Sequence, residues 1–336
     1  MASTDPQLPG DIVEIRTVAM TPDNRASDGT ETSTSPGSAR STSSSGIGSS
    51  SPSSPATAPS PGVSSAPSPG VPSASPLVLV GALRAELEPL GFECHPLLIG
   101  WYNEQVSPGF HLPHPHDTLA VVVISTPDMF ERCFIPHVRR VGQEPASRRD
   151  PLDTCMRHVI GQAARHVHES ARVLHDFELG PTRRPRVLVQ TAGHVSGAVR
   201  LYRRGELKED PWPKKGAMMG VCLHPKFGGW FALRAVVVLE GVEAPDLEQP
   251  QPPEILTTDQ QKREVLEQFN WHWRDGRYRE FGSPQQRYST LQREYFLTPP
   301  GERGPIVERI ARGELPCGSG ETVPGDGKTS DVGGKA

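Results

Sequence analysis

The chain has 336 residues, 35% of them hydrophobic, with 36 prolines, 33 glycines and a formal net charge of −4, which leaves room for one large domain or two small ones. Residues 1–76 hold six acids and three arginines and the rest holds 32 bases against 33 acids, so no basic face is implied and nucleic acid is a poor expectation as partner. Five singly scattered cysteines, Cys94, Cys133, Cys155, Cys222 and Cys317, no apolar run of membrane-spanning length and no secretory leader point to a reducing, cytoplasmic setting without a membrane.

In chain order, residues 24–76 are Ser, Pro, Gly, Ala and Thr almost throughout, and an octad repeats as PSPGVSSA at 59–66 and PSPGVPSA at 67–74. Such a composition buries too little apolar surface to offset its ordering entropy. Residues 1–76 are therefore expected to form a disordered, partly polyproline-like tail. An ordered domain is expected over 77–314. A second disordered tail is expected over 315–336.

Within that domain, Val80, Leu83, Leu87 and Leu90 recur at helical spacing, and Gly91 suits a helix end. FECHPLLIGWY at 92–102 and TLAVVVIS at 118–125 read as strands. Thr126 suits a helix N-cap before Pro127, with Met129, Phe130, Cys133 and Phe134 as the apolar face. Residues 151–170 read as a further helix. RVLHDFEL and RVLVQ read as strands around GPTRRP, and TAGHVSGAV as the opening of a helix. GWFALRAVVVLEGV at 229–242 reads as a long strand, and helices are expected over 258–270 and 284–297. Strands both adjacent and separated by helices imply an α+β fold, with a mixed sheet flanked by helices.

No phosphate-binding glycine loop and no serine nucleophile elbow is present. His111, His114 and His116 in HLPHPH have the residue type for a metal, but no cysteine or acid completes a set, so a proline-spaced surface loop is the better reading. In GVCLHPKFGGWFALR, Gly228 and Gly229 let backbone approach something, either another strand or a ligand. Trp212, Phe227, Trp230 and Phe231 fit a core or an aromatic pocket. Arg234 shares a strand face with Trp230 and Ala232, as either a buried ion pair or an anion-binding group. FNWHWRDGRYRE interleaves four aromatic rings and His272 with Arg274, Arg277 and Arg279, which suits a flat anionic ligand or a packed helix end.

Several long stretches then occur in one order: GWYNEQVSPGFHLP, DTLAVVVISTPDMFERCF, RRPRVLVQTAGHVSGA, GVCLHPKFGGWFALRAVVVL, APDL, FNWHWRD and YFLTPP. In these the chain resembles the cobalamin-trafficking family of methylmalonic aciduria and homocystinuria type C, over about residues 82–303. The resemblance implies a modified flavin nitroreductase-like α+β domain that binds cobalamin with its lower base displaced. It also implies removal of the upper axial ligand. Alkyl groups would pass to glutathione, and cyanide would leave by reduction with FMN or FAD that NADPH has reduced. The glutathione thiolate would be the nucleophile, so no catalytic side chain and no metal ligand set is expected. Arg234, Arg279 and Arg303 would bind glutathione. The corrin would meet Gly193, His194 and Gly197 on one wall and Phe227, Gly228, Gly229 and Trp230 on another, with Trp212 nearby. The methylmalonic aciduria type D protein would receive the product. GPTRRP matches a loop of self-association, so a ligand-linked homodimer is implied. A cobalamin carrier without turnover is the rival reading.

Overall fold

The computed structural model describes residues 75–141, 150–213 and 218–314, all within one unit; the C-terminal tail expected over 315–336, and all but residues 75–76 of the N-terminal one, lie outside them. Helix α1 (Pro76–Leu87) buries Leu79, Val80, Leu83 and Leu87, and a short turn then ends at Gly91 with φ 85°. Strands β1 (Phe92–Leu98), β2 (Thr118–Ser125), β3 (Ala171–His175) and β6 (Ala232–Glu243) form one sheet in the order β1-β2-β6-β3. Strands β4 (Arg200–Tyr202) and β5 (Val221–Leu223) pair separately. The fold is α+β as expected, but every strand pairing among the described residues is antiparallel, so the sheet is not mixed in direction.

β2 is buried at every position, which explains its unbroken apolar run: a strand covered on both faces has no polar alternation to show. One face carries α4 (Pro151–Val167), whose Asp150 N-cap accepts from Leu152 N. The other carries α5 (Val189–Val195), where Gly193 lies directly against Leu233 of β6.

Several boundaries differ from the sequence expectation. β1 stops at Leu98, and Ile99–Asn103 turns into a short helix, α2, where Gly100 N binds His116 O. RVLVQ is not a strand; Leu188 N instead finds the hydroxyl of Tyr102, and α5 begins at Val189. After Thr126 the chain forms a π-helical turn, Phe130–Phe134, before α3 (Ile135–Val141). Helix α6 (Asp259–Trp271) falls within the helix expected over 258–270, to within one residue, and opens on a Thr258–Gln261 capping box. The next helix, α7 (Thr290–Leu297), starts six residues later than expected, capped by Ser289, because Ser283 takes φ 54° and Gln285 N binds Lys226 O. β4, β5 and the last helix, α8 (Gly304–Ala311), were not anticipated.

Candidate functional site

The local build begins with a defect in the sheet. Ile124 pairs with Leu233 and Val123 with Ala235, so Arg234 is the extra residue of a bulge between β2 and β6. A bulge re-aims a side chain. Here it sends the buried Arg234 toward Ser125, whose hydroxyl accepts from Nε at 2.9 Å. No carboxylate lies within 4 Å of Arg234 among the described residues, so this buried guanidinium has a neutral partner only.

Two carboxyls stand in its field. Asp176, whose backbone N donates to Arg234 O at 3.0 Å, is buried, and neither of its side-chain oxygens has a well-formed hydrogen bond. Burial pushes its carboxyl up to about 7, against the attraction of Arg234. Asp153 on α4 is pushed up to about 6 by burial and by Asp150, with Arg234, Arg157 and Arg303 opposing. His175 is lowered to about 4 by burial and by Arg157, so it is held neutral, stacked on Phe177 at 4.9 Å.

Arg303 also reaches this region. Its Nη1 donates to Asp150 at 2.9 Å, and its Nε donates to the carbonyls of Tyr295 and Thr298 at 3.1 and 3.0 Å. Arg234 and Arg303 are therefore brought around Asp153, but Arg303 is already committed to the chain. Asp150, Asp153 and Asp176 had no motif to mark them; only Asp150, an acid before a helix-opening proline, carried a local signal.

The second cluster lies around Phe227 and Trp230. His224 and Gly228 exchange backbone hydrogen bonds at 2.8 and 2.9 Å, and the Phe227 ring stacks on His224 at 4.6 Å. His224 Nε2 meets Glu93 at 3.0 Å. Burial would raise the Glu93 carboxyl, but hydrogen bonds from His224 and His95 hold it well below the usual carboxylate range.

What approaches the two glycines is the chain itself. A Cβ on Gly228, at φ +56°, would sit 2.5 Å from Phe281 O, and one on Gly229 would sit 2.7 Å from Arg279 Cα. Gly229 N donates to Arg279 O, and Arg279 Nη1 donates to Gly229 O. The backbone N–H and C=O of Gly228 are thus engaged by His224, and those of Gly229 by Arg279, within the chain. Arg279 is packed over Trp230, Tyr278 and Tyr288 at 5.5, 4.9 and 5.1 Å from the ring centres. It too has no carboxylate partner within 4 Å among the described residues. Trp230 Nε1 donates to Glu280 at 3.2 Å.

The third group lies on α5. Gly193 touches Leu233 and Val199, and Gly197 at φ +71° abuts Pro250, so these glycines also serve close packing. His194 Nδ1 accepts from Leu201 N at 3.4 Å and is kept neutral by burial and by Arg200 and Arg203. Gly193 and Arg234 lie on opposite faces of β6: Leu233 meets α5, and Arg234 points to Ser125 and the α4 side. Trp212 stands apart, its Nε1 bonded to Glu267 at 3.2 Å and its ring 5.9 Å from the exposed Trp271.

In the histidine loop, His116 bonds Asp117 at 2.8 Å and Glu104 at 3.2 Å, which raises its affinity for a proton. Among the described residues no group of three or more His, Cys, Asp and Glu is placed to hold a metal ion. Nor is any described helix long and apolar enough to cross a membrane.

Comparison with known proteins bears on the whole arrangement. The profile of the methylmalonic aciduria and homocystinuria type C family matches residues 91–307. A Gallus gallus protein named cyanocobalamin reductase / alkylcobalamin dealkylase is 46% identical over 222 residues, covering 66% of this chain and 92% of that protein. The Homo sapiens protein of the same name is 40% identical over 250 residues, covering 73% of this chain and 88% of that protein. The crystal structure of the Caenorhabditis elegans B12-trafficking protein CblC superposes with a TM-score of 0.65 at 34% identity, covering 71% of this chain and 97% of that one. The chain belongs to the methylmalonic aciduria and homocystinuria type C family.

Proposed function

We propose that this chain processes cobalamin: it binds the corrin with the lower base displaced and removes the upper axial ligand. The observation that carries this reading is 40% identity over 250 residues to a protein named for both cyanocobalamin reduction and alkylcobalamin dealkylation, 88% of whose length is covered. The domain responsible is residues 77–314, read as a modified nitroreductase-like fold. The setting is the cytoplasm, the product passes to the methylmalonic aciduria type D protein, and ligand-linked dimerisation uses the GPTRRP loop.

Dealkylation transfers an alkyl carbon from cobalt to the glutathione thiolate. The sulfur electron pair forms the S–C bond, and the Co–C pair stays on cobalt. The chain's own work is then to position the two substrates and exclude water. Glutathione carries two carboxylates, which guanidinium groups bind in paired hydrogen bonds. Arg234 and Arg279, both without a carboxylate partner among the described residues, suit that task. Arg303 joins them only by exchanging Asp150 for a glutathione carboxylate. Reduced flavin supplies the electrons for decyanation when bound.

One observation favours the carrier reading: Arg303 is fully engaged within the chain. The Arg234→Gln variant separates the two. Under the dealkylase reading it retains cobalamin binding and loses at least tenfold in the rate of S-methylglutathione formation, measured by mass spectrometry. An unchanged rate would remove Arg234 from the glutathione site, and no product from the unmutated protein would favour the carrier.

A further inference from the structure

Four cysteines are described, all buried and free. Cys94 and Cys222 stand singly, each thiol pushed up to about 12 by burial. Cys133 and Cys155 do not. Cys133 lies in the π-helical turn and Cys155 in α4, and their sulfurs are 3.8 Å apart. Their mutual hydrogen bond, with help from Arg140 and Arg234, holds the Cys133 thiol below its ordinary value, while the same bond and burial push Cys155 up. Two sulfurs this close can exchange with a disulfide, and Cys133 is the one of the pair that lines a cleft, which makes it the attacking thiol and Cys155 the resolving one.

Cys133 also has an approach. It lines a cleft of about 430 Å³ between α1, α3 and α4, together with Arg132, His137, Arg140 and His158. Arg140 makes no ion pair within 4 Å among the described residues; its Nη2 contacts His137 Nδ1 at 3.3 Å. Glu86 pairs with His166 at 2.8 Å and Arg132 with Asp128 at 3.0 Å, so Arg140 is the guanidinium at this cleft without an ion pair among the described residues, placed to meet an anionic disulfide beside the thiol pair.

We propose that Cys133 and Cys155 form a reversible dithiol–disulfide couple, oxidised by glutathione disulfide entering this cleft. Cys133 thiolate attacks one sulfur of glutathione disulfide and expels a glutathione thiolate. The Cys155 sulfur then attacks Cys133, loses its proton to solvent and expels the second glutathione. The protein loses two electrons and two protons, and one glutathione disulfide becomes two glutathione thiols. Because both sulfurs lie in the field of Arg234, closure ties the π-helical turn to α4 beside the arginine assigned to glutathione. The couple thus sets the activity of that site by the ratio of reduced to oxidised glutathione. This last step rests on the dealkylase reading; the couple itself does not.

The test uses the full chain carrying Cys317→Ser, without cobalamin, equilibrated in glutathione buffers of stepped ratio. The samples are trapped with N-ethylmaleimide under denaturing conditions and read by peptide mass spectrometry. The expected result is a Cys133–Cys155 linked peptide that rises as a two-electron transition while Cys94 and Cys222 stay reduced. Cys155→Ala should accumulate a glutathione adduct on Cys133, and Cys133→Ala should give no adduct at Cys155. The couple is overturned if Cys133 and Cys155 stay reduced in excess glutathione disulfide, or if Cys94 and Cys222 oxidise at the same ratio. Should either variant fail to fold, the linked peptide in the parent chain still decides. If the couple forms but methylcobalamin dealkylation is equal before and after closure, the regulatory step is overturned and the couple stands.

Discussion

Asp176 shows how a single buried group sets a pH dependence. Its carboxyl, raised by burial from 3.8 to about 7, keeps its proton in the folded protein where the unfolded chain has lost it. Its contribution to stability is therefore complete below about pH 4 and lost as the pH rises to about 7. His175 works the other way: lowered to about 4, it contributes above the ordinary histidine value, and that contribution is lost as the pH falls. Because the two oppose each other, the informative quantity is a difference. Asp176→Asn should gain stability relative to the parent between pH 4 and 7, by on the order of 2–4 kcal/mol. Urea unfolding at pH 5 and pH 8 measures it; a pH-independent difference would contradict the buried-acid account. Gly228 makes a steric prediction at the same scale. Gly228→Ala places a Cβ 2.5 Å from Phe281 O on a backbone at φ +56°. It should cost about 1–3 kcal/mol or more in thermal unfolding, with no ligand present. That experiment separates packing against residues 279–281 from contact with a corrin, since a residue needed only for the corrin would leave the apo stability unchanged.

At the scale of elements, Arg303 joins three pieces of chain. It precedes α8, donates to carbonyls of α7 and its exit, and pairs with the N-cap acid of α4. Removing one partner of a buried pair strands the other, so Arg303→Ala should destabilise the domain by about 3–5 kcal/mol. A loss of activity in that variant is then read against its melting temperature, unlike Arg234→Gln. The capping box of α6 is an independent check: Thr258→Ala should cost about 1 kcal/mol and leave cobalamin chemistry intact. The helices over 151–170 and 258–270 and the strand TLAVVVIS were legible in the sequence, and the structure shows why: Asp150 and Thr258 cap the two helices, and β2 is buried at every position. RVLVQ was not, because its β-branched composition satisfies a strand and a buried helix start alike, and only the tertiary bond from Leu188 N to Tyr102 decides. The late start of α7 was equally invisible, set by the contact of Gln285 with Lys226.

For the whole molecule, Arg234 and Arg279 drew notice in the sequence by themselves, whereas Arg303 entered only through the resemblance. Arg234 stood out as a cation in an apolar strand, but the bulge that aims it and the acids around it come from α4 and β3, far away in the chain. At Gly228 and Gly229 glycine marked close approach without saying what approaches, and residues 279–281 do. The fold sets Gly193 of α5 and Arg234 on opposite faces of β6. The central claim is that one domain both binds cobalamin base-off and uses glutathione to remove its alkyl group. Absorbance spectroscopy of the purified chain with methylcobalamin, without oxygen and before and after glutathione, tests it most directly. The account predicts a shift to the base-off spectrum on binding, followed by conversion to cob(I)alamin or cob(II)alamin when glutathione is added. A base-off spectrum that glutathione leaves unchanged, or no shift at all, would contradict it.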